Sequence, residues 1–183
     1  MSNHSARRGF TIITGGLVVV ATALMTTVGA RTTWAQEAGP EGVRNYTRVD
    51  ATVACAGATP PEAMAALKQG GFVSVINFRT VEENGATVEA SKAAAKAAGL
   101  KYFHMPFRTP TAEIAENFLE VVGDTANQPV YIHCGSANRV GAMWYIKRVK
   151  QDGWDTPRAM AEAEAIGLTS PALKAFATGY ITR

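Results

Sequence analysis

The chain has 183 residues, 47% hydrophobic and 18% charged, with 18 Lys+Arg against 15 Asp+Glu. That is an ordinary balance for one globular domain with its own core. Two cysteines are too few for a disulfide framework and no zinc-type His/Cys spacing is present, so no metal and no other cofactor is expected.

Arg7-Arg8 precede an apolar run from about Ile12 to Ala30, and Thr33-Trp34-Ala35 puts small residues at the third and first positions before a cut. These are the regions of a signal peptide over residues 1–35. Arg7 and Arg8 followed by Gly9 and Phe10 are similar to a twin-arginine export signal. An ordinary secretory leader and an uncleaved anchor are the other readings, although the run is short for a span of ~20 residues. The expectation is an exported protein, periplasmic or secreted, without membrane contact once the leader is removed. Cleavage takes away three arginines and no acid, leaving 15 basic against 15 acidic residues. The basic excess therefore belongs to the leader, and no nucleic-acid footprint remains.

Residues 36–45, with their Gly and Pro, read as a loose start to a single domain over residues 46–183. Residues 46–49 alternate weakly, as a short strand does. The Gly, Ala and Pro of residues 55–61 read as a loop. Pro60 and Pro61 then open a helix to about Gln69, which Gly70-Gly71 stop. Residues 72–78 are short, apolar and β-branched, the pattern of a buried strand, with Arg79 at its end. A polar loop with Asn84-Gly85 leads to an alanine-rich helix over residues 89–98. Residues 100–107 form the next strand. Thr109 caps a helix entered through Pro110, with Phe118, Leu119 and Val122 on one face. Residues 130–132 are a further strand. A helix from Arg139 to about Gln151 carries Met143, Ile146 and Val149 at helical spacing, and helices over 156–166 and 170–180 close the chain. The alternation predicts an α/β domain with a mainly parallel central sheet flanked by helices. In such sheets ligands bind beyond the carboxyl ends of the strands, where Arg79, Arg108 and Cys134 fall.

The richest stretch is His133-Cys134-Gly135-Ser136-Ala137-Asn138-Arg139. An apolar strand ends in His-Cys, small residues follow, and an arginine opens a helix. Backbone N–H groups of residues 135–138, the positive helix end and the Arg139 guanidinium can all favour a thiolate at Cys134. The guanidinium fork also suits a tetrahedral oxyanion. Gly135 and Gly141 permit close backbone approach, and His133 is expected to brace the loop by a hydrogen bond. The bland alternative is a buried, inert cysteine in a strand-to-helix turn. Arg79 and Arg108 either meet a substrate anion or hold a carboxylate such as Glu82 or Glu83; for Arg79 the structural role fits better. Cys55 is either a small buried residue or, in an oxidising compartment, a partner or resolving thiol for Cys134.

Residues 72–79, 99–106 and 129–144, taken in order, resemble the beta-lactamase-hydrolase-like phosphatase-domain family, a compact bacterial branch of the tyrosine-phosphatase-like fold. The likeness spans roughly residues 46–149 and is strongest at Ile76-Asn77-Phe78-Arg79 and from His133 to Arg139. It implies Cys134 as nucleophile, Arg139 as the anion-binding arginine, a phosphocysteine intermediate, and a small anionic substrate or a phosphoprotein as partner.

Three departures from ordinary tyrosine phosphatases bear on the chemistry. Four residues, not five, separate Cys134 from Arg139, a loop length that also occurs in rhodanese-type sulfurtransferases. Ala137 stands where related loops usually have Gly, and a positive φ there is strained. Val140 replaces the hydroxyl residue that usually follows the arginine, leaving Ser136 as the substitute donor. The expected catalytic Asp is also missing: residues 106–116 hold only Glu113 and Glu116, which suit the first turns of a helix. Two alternatives to a phosphatase therefore stand: a sulfurtransferase using a Cys134 persulfide, and a non-catalytic anion-binding module.

Overall fold

In the computed structural model the described residues are Met1 and 38–183, so residues 2–35 of the expected leader lie outside them. Short extended segments form β1 (Thr47–Asp50), β2 (Val53–Ala56), β3 (Ser74–Asn77), β4 (Lys101–His104) and β5 (Val130–His133), with β2, β3 and β5 buried throughout. They make one sheet in the order β1-β2-β5-β3-β4. β1 runs antiparallel to β2, and the other pairings are parallel. The helices are α1 (Ala63–Gln69), α2 (Val88–Ala97), α3 (Ala112–Gly123), α4 (Asn138–Lys150), α5 (Thr156–Ile166) and α6 (Pro171–Ile181). The chain thus adopts the α/β class with a mainly parallel sheet. Among the described residues no helix is long and apolar enough to cross a membrane.

Two local expectations need correction. The loop starts at Gly57, not at Cys55, because Val53-Ala54-Cys55-Ala56 forms β2, with all four residues fully buried. Alanine and cysteine favour a strand only weakly. Here the ladders on both sides, to β1 and to β5, supply what propensity does not. The cap of α3 is Thr111 rather than Thr109: its hydroxyl accepts the Ile114 N–H at 3.3 Å. Pro110 holds the residue before it extended, so the chain enters the helix only after the proline.

The strand alternation sorts the core into two faces. Tyr131 joins Met64, Leu67, Phe72 and Val75 on one side. Ile132 and Cys134 join Ile76, Phe118, Trp144 and Ile146 on the other. α4 lies deepest in that second layer. Its Gly141 lets α5 pass closely, because a Cβ there would sit 2.7 Å from the Ala163 carbonyl oxygen and 2.8 Å from the Leu168 Cβ. Arg148 of α4 is buried between the rings of Trp144 and Trp154, its guanidinium 4.6 and 4.3 Å from their centres. It donates to Glu162 through Nε and Nη2, both at 2.9 Å, and reaches Asp152 and Asp50. This cluster joins α4, α5 and β1, and it sets the helix that begins at the catalytic-type loop.

Candidate active site

β5 delivers His133 and Cys134 to the carboxyl edge of the sheet. The Cys134 N–H closes the ladder on the Ala56 carbonyl at 3.3 Å. The chain then turns through residues 135–137 into α4. Ala137 makes the turn with φ 68° and ψ −4°, in the left-handed region where the strain was expected. The backbone N–H groups of residues 135–140 donate to no protein acceptor among the described residues. A free set of amides at the start of a 13-residue helix, following a left-handed residue, is a ready seat for an anion.

The loop is braced from behind by two neighbouring segments of the chain. The Gly135 carbonyl accepts the Ala58 N–H at 3.0 Å, and the Ser136 carbonyl accepts the Asn45 side-chain amide at 3.3 Å. Gly57 passes so close that a Cβ there would lie 3.2 Å from the Gly135 oxygen and 3.3 Å from the Ser136 Cα. Residues 40–45, expected to be loose, are fastened here: Arg44 and the Gly57–Ala58 turn exchange hydrogen bonds at 2.7 and 3.0 Å. Asn138 turns away from the loop. Its Oδ1 accepts the Thr169 and Ser170 N–H groups, each at 2.8 Å, pinning the link between α5 and α6. Ser136 is exposed, and its hydroxyl has only the Asn138 amide at 3.5 Å, so in this structure it does not stand in for the hydroxyl residue that Val140 replaces.

Arg139 is held by four acceptors. Nη1 donates to the carbonyls of Phe78 at 2.9 Å and Phe107 at 2.7 Å, and to Glu83 Oε1 at 2.6 Å; Nη2 donates to Glu83 Oε2 at 2.8 Å. Burial alone would lower its pKa, but the Glu83 hydrogen bonds and the charges of Cys134 and Glu83 outweigh it and raise the value. Burial likewise opposes ionisation of Glu83, yet the Arg139 bonds, the Thr80 N–H and the Arg79 charge bring its pKa down to about 2. Glu83 is therefore an anion at any working pH. Its place at Arg139 was not foreseen; the only sequence signal was an acidic pair three and four residues after Arg79.

The other expected residues divide clearly. Cys134 is buried at the base of the loop, packed under it with the second core layer, and its sulfur interacts with the Arg139 guanidinium. Arg79 is structural, donating to the Asn84 and Gly85 carbonyls at 2.8 and 2.9 Å and to Glu83 at 3.4 Å. Arg108 is exposed beside Leu173 and Phe176, and its charge reaches Glu82 rather than the loop. His133 does not brace the loop as expected. Both ring nitrogens are buried without a hydrogen bond of normal geometry. Burial lowers its pKa to about 3, with the charges of Arg79 and Arg139 adding to the shift and the nearby Cys134 and Gly57 backbone opposing it. Cys55 is the small buried residue: both cysteines are free, and burial pushes its thiol well above the ordinary range. Glu113 and Glu116 are exposed on α3, as first-turn charges are. Of the described carboxylates, only Glu83 bonds to Arg139, and it holds no proton to give.

Beside the loop, at Gly135, opens a cavity of about 820 Å³ whose walls include Arg44, Thr59, Glu62, Arg79 and Glu83. Thr59 is fixed by a 2.6 Å hydrogen bond to the buried Tyr131 hydroxyl.

Residues 45–151 match the sequence profile described as the beta-lactamase hydrolase-like protein, phosphatase-like domain. No curated protein matches the chain. Among solved structures, a phosphatase candidate (DUF442) from Shewanella putrefaciens CN-32 is 23% identical, with a TM-score of 0.65 over 77% of this chain and 93% of that one. TpbA of P. aeruginosa is 21% identical, TM-score 0.61, over 83% and 91%. The catalytic core of the PP-IP phosphatase SIW14 of S. cerevisiae is 20% identical, TM-score 0.63, over 77% and 86%. At these identities the likeness is one of fold.

Proposed function

The chain belongs to the phosphatase-like domain family of the beta-lactamase hydrolase-like proteins, and on that premise we propose that it is a thiol-dependent phosphatase for a small anionic phosphomonoester. One observation carries the reading: the Cys134 sulfur, the free amides of residues 135–140 and a guanidinium locked by Glu83 meet at one sheet edge. In this mechanism the Cys134 thiolate attacks phosphorus, and the P–O bond to the leaving group breaks. Nε and the remaining Nη2 hydrogen of Arg139, with the loop amides, hold the equatorial oxygens. Water then attacks the phosphocysteine, the S–P bond breaks, and phosphate leaves with the water protons passing to it and to solvent, restoring the thiolate. Among the described residues no side chain is placed to protonate the leaving group, so esters of acidic alcohols, such as aryl phosphates, react fastest. Solved relatives in fold are consistent with an anionic ligand: a Cys-to-Ser form of TpbA was crystallised with pTyr, and the SIW14 core with citrate. The test is release of 4-nitrophenol from 4-nitrophenyl phosphate by wild-type and Cys134→Ser protein. Turnover that survives in the variant refutes the mechanism.

The four-residue loop favours one second reading, sulfur transfer. There Cys134 takes a sulfane sulfur as a persulfide and passes it to a thiol or cyanide, a route that needs no acid. Thiocyanate formed from thiosulfate and cyanide, in the absence of phosphate release, selects it.

The same proposal places the protein outside the cytoplasm through the leader at residues 1–35. Fractionation of cells carrying the full chain, with the N-terminus of the product sequenced, tests this. A full-length product in the cytosol overturns it.

A further inference from the structure

We propose that the substrate carries a second anionic group and that Arg44 receives it. The inference rests on the phosphatase reading of Cys134 and Arg139 and names the substrate class for that site. The cavity at Gly135 is lined by two arginines. Arg79 is spent on Glu83 and two backbone carbonyls. Arg44 is exposed, and no hydrogen bond or ion pair of its side chain is found among the described residues.

An unpaired surface arginine is usually mobile and uninformative. Here the backbone fixes the point from which the side chain reaches, at the rim of the cavity. The Arg44 N–H donates to the Ala58 carbonyl at 3.0 Å, and its own carbonyl accepts the Gly57 N–H at 2.7 Å. Ala58 in turn donates to Gly135 at 3.0 Å, the residue after the nucleophile. The next residue, Asn45, sits at φ 50° and donates its side chain to the Ser136 carbonyl at 3.3 Å. A left-handed asparagine is tolerated where local bonds hold it. Arg44 is thus tied to the anion seat through two backbone contacts and a turn, and it is left with no structural task of its own.

The rest of the wall fits a compact polar ester better than an aromatic one. It combines small and proline residues with the polar Thr59, Asn84 and Thr87 and has no aromatic side chain, so an aryl group finds no ring to stack on. Glu62 shares the wall and makes no cap bond to α1. Its carboxylate repels an anion, so the second group lies on the Arg44 side. A cation on a fixed backbone, set apart from the reacting phosphate, discriminates by distance between charges, as linked binding groups do.

The experiment uses a series of α,ω-alkanediol bisphosphates and the matching monophosphates as a ruler. kcat/KM is read by phosphate release, and affinity by calorimetry on Cys134→Ser protein. The expected result is at least a tenfold preference for a bisphosphate over its monophosphate, peaking at one chain length. Arg44→Gln abolishes the peak, Arg44→Lys keeps most of it, and Glu62→Gln raises it. A preference near twofold at every length, which two equivalent phosphates give by statistics, overturns the proposal, as does a peak that persists in Arg44→Gln. A protein that releases no 4-nitrophenol from 4-nitrophenyl phosphate sinks the phosphatase reading instead, since alkyl esters without an acid to protonate the leaving group react slowly in any case. The affinity series on Cys134→Ser protein then still decides for or against Arg44.

Discussion

Glu83 and Arg139 meet through two parallel hydrogen bonds, Nη1 to Oε1 at 2.6 Å and Nη2 to Oε2 at 2.8 Å. The fork is bidentate, so it fixes the plane of the guanidinium as well as its position. With Nη1 also bonded to the Phe78 and Phe107 carbonyls, only the Nε edge and one Nη2 hydrogen stay free for a ligand.

Glu83→Gln removes the charge and keeps the shape. We expect kcat/KM for 4-nitrophenyl phosphate to fall ten- to a hundredfold, and stability at pH 7 to fall by about 1.5–3 kcal/mol, the range for charged hydrogen bonds. The pH dependence has a defined sign. The folded pKa, about 2, lies below the ordinary glutamate value, so the folded state binds fewer protons. The stabilisation is complete above about pH 4.5 and is lost as pH falls toward 2. Urea unfolding at pH 7 and pH 3 should show the wild-type advantage over Glu83→Gln shrinking at the lower pH.

His133 makes acid destabilising over a different window. Its folded pKa is about 3, below the ordinary imidazole value near 6.5. Unfolding therefore takes up a proton as pH falls below about 6.5, and stability drops by up to about 1.4 kcal/mol per pH unit toward pH 3. His133→Phe should flatten the profile between pH 6.5 and 4.5. Denaturation midpoints across that range measure it, and an unchanged slope would show that the imidazole finds a proton acceptor in the fold.

Ala137 holds φ 68° with its Cβ only 3.0 Å from where a Cβ on Gly167 would lie. Ala137→Gly relieves a left-handed alanine and should raise stability by about 0.5–1 kcal/mol. Gly167→Ala should lower it, since Gly167 is itself at φ 136°. Opposite shifts in melting temperature for the two variants are the expected pattern.

Glu162→Ala leaves the buried Arg148 cation facing a void on its best-paired side. Asp152 and Asp50 still pair the cation, so the expected loss is about 1.5–3 kcal/mol, the range for charged hydrogen bonds. Because α4 starts at the loop, activity should fall together with protection of the α4 amides from hydrogen exchange. A variant that loses stability while those amides keep full protection would separate the cluster from the loop.

The cysteine loop was legible because its chemistry is local: strand, His-Cys, small residues and arginine are contiguous. The parallel sheet was legible from the β-branched run around Val75 and Ile76. β2 was not, since Ala54, Cys55 and Ala56 become a strand only through pairing with residues about 75 positions away in β5. The same holds for Glu83, whose meeting with Arg139 spans 56 residues. Residues 40–45 read as slack because Gly and Pro mark flexibility, while the bonds that fasten Arg44 and Asn45 belong to distant loops. For His133 the residue type suggests a hydrogen bond, but in the fold neither ring nitrogen meets a partner in good geometry.

The fastening of residues 40–45 has a practical corollary for maturation. If the leader ends at residue 35, only a handful of residues separate the scissile bond from Arg44 and Asn45. A peptidase that trimmed past that margin would unbutton the reactive loop's rear support without touching a single residue of the loop itself. Proteolytic wear at the extreme amino end would then switch the protein off, and affinity tags are safest at Arg183.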